Sequence, residues 1–139
     1  MKLKSVLLTA VLVFAITPFA TAENEKNLFN QGVDVHKQGN NTQAAKLWEK
    51  DCNAGSERSC YNLGLLYYNG HGVKKDAAQA AKIWEKSCHN NEKRSCGNLG
   101  WLYEKGFGVK QNLFTAKRYY EKSCYLGEPK ICDRYKKLN

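Results

Sequence analysis

Six cysteines fall on a single ruler. Cys52, Cys88 and Cys124 are spaced 36 residues apart, and so are Cys60, Cys96 and Cys132. Other residues keep the same register. Trp48, Trp84 and Tyr120 coincide, as do Ala44, Ala80 and Ala116, and the pairs Glu49-Lys50, Glu85-Lys86 and Glu121-Lys122. Asn62-Leu63-Gly64 matches Asn98-Leu99-Gly100, and Gly70-x-Gly72-Val73-Lys74 matches Gly106-x-Gly108-Val109-Lys110. A period of this length restricts the chain to a stacked array, because no single unit can bury its own apolar face.

The units read as helix pairs. Cys60, Leu63, Gly64 and Tyr67 lie at i, i+3, i+4 and i+7, which is one face of a helix over residues 57–68. Residues 77–88 carry Ala80, Ala81, Ile83, Trp84 and Cys88 in the same rhythm, with Asp76 as N-cap. Between them Asn69-Gly70-His71-Gly72 must turn, and its glycines permit positive φ. Gly64 and Gly100 sit inside helices, where glycine costs about 1 kcal/mol against alanine. Their expected purpose is close approach of a neighbouring helix, against a large ring such as Trp48 or Trp84. Phe29-Asn30-Gln31-Gly32 aligns with Tyr61-Asn62-Leu63-Gly64, so the first unit follows the scheme with a shorter loop, and Thr42 opens its second helix. The expectation is an all-α solenoid of seven helices in antiparallel pairs, with units over residues 25–55, 56–91 and 92–127 and a polar capping helix over 128–139.

This layout gives the cysteines a role. Cys52 ends one helix, Ala54-Gly55-Ser56 turns the chain, and Cys60 lies in the first turns of the next helix. Each cysteine is about 6 Å from the bend at roughly 1.5 Å rise per residue. The two therefore stand level on facing helices, at a separation that a disulfide can span. The pairs are Cys52–Cys60, Cys88–Cys96 and Cys124–Cys132. A zinc site needs tighter spacing, a redox motif needs Cys-x-x-Cys, and His36, His71 and His89 do not repeat. Neither a metal nor any other cofactor is expected.

The amino terminus has the form of a secretory leader. Lys2 and Lys4 precede an uncharged apolar run from Ser5 to Ile16, Pro18 breaks it, and Ala20-Thr21-Ala22 offers small residues for cleavage after Ala22. The run is shorter than the roughly 20 residues that span a bilayer. The domain proper is therefore residues 23–139, secreted or periplasmic, with no stable membrane insertion after cleavage. The whole chain carries a formal charge of +9. Its lysines are scattered at helical intervals, which describes a solvated surface rather than a nucleic-acid patch and favours anionic partners at low salt.

The run Cys60-Tyr61-Asn62-Leu63-Gly64-Leu65-Leu66-Tyr67-Tyr68-Asn69-Gly70-His71-Gly72-Val73, with Ala80 to Cys88 after it, resembles Sel-like repeats. These are relatives of the tetratricopeptide repeat with a longer loop between helices. The paired cysteines make the sequence similar to the Helicobacter cysteine-rich protein family. That resemblance implies a solenoid whose concave face binds partners. It also implies a penicillin-binding or slow β-lactamase activity, and hence a β-lactam or a peptidoglycan fragment as an alternative ligand. The chemistry for this is missing from the residues. The chain beyond the leader has no Ser-x-x-Lys nucleophile, so the enzyme reading would rest on likeness of fold alone. The chain is read as a monomeric interaction module and not as an enzyme.

One further pattern bears on partners. A basic residue precedes an asparagine by four positions on each first helix, giving Lys26/Asn30, Arg58/Asn62 and Arg94/Asn98. With Leu65 and Trp101 these form an expected ladder along one groove. Asparagine can hold peptide amides in both senses, and the basic residues can grip carboxylates. An extended, anionic peptide or protein segment is the ligand this pattern suits.

Overall fold

The computed structural model describes residues 19–138, with side chains from Leu28 onward. The expected leader, residues 1–18 above all, lies outside the described residues. Seven helices follow in order: α1 (Phe19–Lys37), α2 (Asn41–Asn53), α3 (Glu57–Asn69), α4 (Ala77–His89), α5 (Lys93–Lys105), α6 (Leu113–Tyr125) and α7 (Pro129–Lys137). Each packs on the helix before and the helix after it. The result is an all-α solenoid of helix pairs. Asp76 caps α4 by accepting from the Gln79 amide at 2.9 Å. The second helix opens slightly before Thr42, because Asn40 takes the capping position and accepts from Gln43 at 3.1 Å.

Three bridges join Cys52 to Cys60, Cys88 to Cys96 and Cys124 to Cys132, each with Cα atoms 4.7 Å apart. They staple α2 to α3, α4 to α5 and α6 to α7, which are the hairpins that link one unit to the next. A repeat with a small core gains most from such local links, because they restrict the unfolded chain.

The helical glycines admit rings. A Cβ on Gly64 would lie 2.6 Å from Trp84 Cδ1, one on Gly32 2.6 Å from Trp48 Cδ1, and one on Gly100 2.6 Å from Tyr120 Cδ1. Each ring is almost fully buried, at 2%, 2% and 0% exposure for Trp48, Trp84 and Tyr120. The indoles also find polar partners. Trp48 Nε1 donates to the Phe29 carbonyl at 3.2 Å, and Trp84 Nε1 to the Tyr61 carbonyl at 3.1 Å. The first helix pair, with its shorter loop, is therefore a unit of the same kind.

Other contacts tie successive units. Lys86 Nζ donates to the Cys52 carbonyl at 3.2 Å, and Lys122 Nζ to the Cys88 carbonyl at 2.7 Å. Lys86 and Lys122 thus each cap the negative end of the preceding unit's second helix, which gives the lysine of the repeated Glu-Lys pair a role in the two later units. The Gly-x-Gly loops nest on the same neighbour. Gly72 has φ +72°, and a Cβ there would meet Thr42 N at 2.5 Å, while Gly108 has φ +67° and presses on Ala77 and Ala78. Both the turn and the close approach require glycine.

The array ends in a polar clasp. Glu104 on α5 accepts from Tyr120 on α6 at 2.6 Å and from Nε and Nη2 of Arg134 on α7, at 2.8 and 3.0 Å. The paired guanidinium, with the tyrosine hydroxyl, holds the Glu104 carboxyl down at about 2. Burial and the adjacent carboxylate push the Tyr120 hydroxyl up. Because the folded carboxyl lies below its ordinary value near 4.5, its stabilising effect is complete above that value. It is lost as the pH falls from there toward 2. Acid titration of unfolding free energy is expected to show a loss of roughly 1 kcal/mol over that window, after solvent screening. Glu104→Gln is expected to flatten this part of the curve.

Candidate functional site

Two hollows open on the face shared by α1, α3 and α5. The first, about 210 Å³, is lined by Val33, His36, Trp48, Asn62, Leu65, Leu66, Asn69 and His71. The second, about 180 Å³, is lined by Leu65, Tyr68, Asn69, Trp84, Asn98 and Trp101. They share Leu65 and Asn69, so they form one broken groove. The second repeats the first: Asn98 stands for Asn62, Trp101 for Leu65, and Trp84 for Trp48. The indoles that fill the notches at Gly32 and Gly64 therefore also floor the two hollows. Trp101 is held edge-on between Tyr68 and Phe107, with ring centroids 5.7 and 5.2 Å away. Asn69 is occupied locally, donating to the Leu65 carbonyl at 2.9 Å.

The arginines occupy a different level. Arg58 lies with Asn30, Phe29 and the residues 54–57 around a separate hollow of about 410 Å³ at the hairpin end of α3. It also borders one of about 290 Å³ with Asn90, Asn91, Glu92 and Lys93. Its guanidinium stacks 4.0 Å over the Phe29 ring. Arg94 repeats this, 4.1 Å over the Tyr61 ring, and pairs with Glu92 at 2.7 Å. Burial pushes the Tyr61 hydroxyl up, while Arg94 and Asn98 act in the opposite sense. The structure thus gathers Asn62, Leu65, Asn98 and Trp101 into one groove, and puts Asn30 with Arg58 in a second row. Lys26 has its side chain outside the described residues. A wider depression of about 600 Å³ is lined, among the described residues, by α6 alone.

Sequence reasoning missed the buried polar row beside the bridges. Asp51, Ser59, Ser87, Ser95 and Ser123 are all fully buried. Ser59 donates to Asp51 Oδ2, and Ser95 and Ser87 are hydrogen-bonded at 2.9 Å. The available signal was position: each of these residues immediately precedes a cysteine.

The repeat matches in comparison too. Residues 58–92 and 94–128 each match the Sel1 repeat, together half of the chain. The chain is a Sel1-repeat protein. Among relatives, HcpC of Helicobacter pylori strain J99 is 43% identical over 54 residues, covering 39% of this chain and 19% of HcpC. HcpC carries a β-lactamase designation that its own name marks as provisional. The chain spans about a fifth of the length of the curated relatives it matches. A Sel1 repeat protein from Oxalobacter formigenes superposes with a TM-score of 0.74 at 25% identity, covering 84% of this chain and 49% of that one. Helicobacter pylori cysteine-rich protein B superposes at 0.64 with 29% identity, covering 80% and 94%.

For this Sel1-repeat protein the described residues are helical or connecting turns. No group of three His, Cys, Asp or Glu side chains among them could hold a metal ion. An all-helical repeat array of this kind argues against the usual β-lactamase fold. No helix among the described residues is long and apolar enough to cross a membrane.

Proposed function

We propose that the protein is a secreted or periplasmic interaction module that binds an extended, anionic peptide or protein segment along α1, α3 and α5, the inner wall of the array. The observation that carries this reading is the repetition of one hollow, asparagine and ring included, in two successive units joined through Leu65 and Asn69. An extended segment advances about 3.3 Å per residue. It can therefore place side chains in both hollows while Asn62 and Asn98 hold its amides. At the hairpin ends Arg58 supplies positive charge, while Arg94 is paired with Glu92 and Lys93 with Glu128. The test is fluorescence anisotropy with labelled acidic peptides. Asn62→Ala with Asn98→Ala is expected to weaken binding at least about tenfold, equal to 1.4 kcal/mol. Arg58→Ala with Arg94→Ala is expected to weaken it less and to reduce its salt dependence. Unchanged affinity in the asparagine pair would sink the groove.

A second reading is favoured by the designation carried by HcpC: binding of a β-lactam or peptidoglycan fragment, with slow hydrolysis. Such ligands carry carboxylates and amides as peptides do, so the same groove could take them. Turnover of a chromogenic cephalosporin that survives repurification and is lost with Asn62→Ala and Asn98→Ala would replace the first reading by this one.

A further inference from the structure

Among the described residues Asp51 is the one charged side chain with no exposure at all. Ser59 donates to its Oδ2, while Oδ1 is buried without a hydrogen-bond partner. Such a group is costly unless something answers it. The two later units place serine at this position. Ser87 donates to the Glu57 carbonyl at 3.0 Å, and Ser123 to the Lys93 carbonyl at 2.7 Å. Glu57 and Lys93 are the first residues of α3 and α5. The second helix of each pair thus closes on the start of the first.

The register in the first pair follows from the indole bonds. Trp84 reaches Tyr61 across 23 residues, whereas Trp48 reaches Phe29 across 19. The same four-residue shortening, applied to the bond from Ser87 to Glu57, sets residue 25 opposite Asp51. A serine hydroxyl can donate to a helix-start carbonyl, but an ionised aspartate can only accept. Asp51 therefore calls for a donor at the place where its counterparts find an acceptor. In the full chain α1 runs on to Phe19, so the amides of this stretch are used within the helix. Cleavage after Ala22 changes that. It leaves a free amino group on Glu23, two residues before residue 25. Asn24, a residue type favoured at helix starts, then matches Ser56 and Glu92, which precede α3 and α5.

We propose that Asp51 is the buried counter-ion of the amino terminus created by cleavage after Ala22, so that removal of the leader completes the first unit. The pairing accounts for an acid in the first unit where the others carry serine. It is independent of what the groove binds.

The test compares three forms: one beginning at Glu23 with a free amine, the same form N-acetylated, and one beginning at Thr21. Each is made with Asp51 and with Asp51→Ser, a substitution that installs the side chain already working at positions 87 and 123. With Asp51, the free-amine form is expected to melt about 4 °C above the other two, the shift that a surplus near 1 kcal/mol gives a domain of this size. With Asp51→Ser, the three are expected to melt together. Equal melting of the three Asp51 forms overturns the pairing, and so does a gap that persists in Asp51→Ser. An intact mass of the exported protein showing a start other than Glu23 overturns it as well.

Discussion

Reduced with a thiol reagent, the protein is expected to melt far below the oxidised form, with most of its helical signal lost near room temperature. Each bridge closes a short loop, and the chain-entropy estimate for such a loop is about 2.5 kcal/mol. Three bridges then contribute roughly 7 kcal/mol, against a total of about 5–15 kcal/mol for an ordinary domain. The array has little else to substitute for them, since its core is two modest clusters around Trp48 and Trp84. The bridges are not equally accessible. Cys88 and Cys96 are 1% and 0% exposed, whereas Cys124 on α6 and Cys132 on α7 are both partly exposed, and α7 is a terminal helix with no buried residue. Timed alkylation with mass detection is expected to label Cys124 and Cys132 first and Cys88 and Cys96 last. Circular dichroism melts with and without reductant measure the total. Melting points within a few degrees of each other would show that the bridges add little stability.

Gly64→Ala is expected to destabilise by about 2 kcal/mol and Gly64→Val by more. Alanine gains about 1 kcal/mol of helix propensity over glycine. Here the gain is outweighed, because the new methyl would lie 2.6 Å from Trp84 Cδ1. The indole can retreat only by breaking its bond to the Tyr61 carbonyl and leaving its place against Gly64. Overpacking of this kind costs about 1–3 kcal/mol or somewhat more. Gly97 is the internal control. It is also helical and buried, but a Cβ there meets Ile131 Cγ1 at 3.0 Å and, at 3.2 Å, Ile131 Cδ1 and the Ser123 hydroxyl, none as close as the indole is to Gly64. Gly97→Ala should therefore cost clearly less than Gly64→Ala. Urea unfolding followed by tryptophan emission separates the two, and similar values for Gly64→Ala and Gly97→Ala would contradict the notch.

What could be read in advance was whatever the period repeats. The cysteine ruler implied facing helices, and facing helices implied the bridges. A glycine kept inside a helix implied a large ring, Trp48 or Trp84, and the structure sets Trp84 against Gly64 and Tyr120 against Gly100. The groove was legible only in part. Helical angle places Arg58 and Asn62 on one stripe, but they differ in height by four residues, about 6 Å. That separation sends them to different hollows. The stacking of Arg58 on Phe29 joins residues on different helices, and no local pattern announces it. The Glu104–Arg134 clasp was invisible for a related reason: Glu104 occupies the position that Tyr68 holds one unit earlier, so it breaks the repeat instead of following it.

The lysine-to-carbonyl bonds and the nested Gly-x-Gly loops all reach back by one unit. For the gene this means that misaligned recombination shifted by one 36-residue period would splice matching halves together. The protein can then gain or lose a whole cassette without retuning either junction, and the length of the array becomes a heritable variable set by copy number.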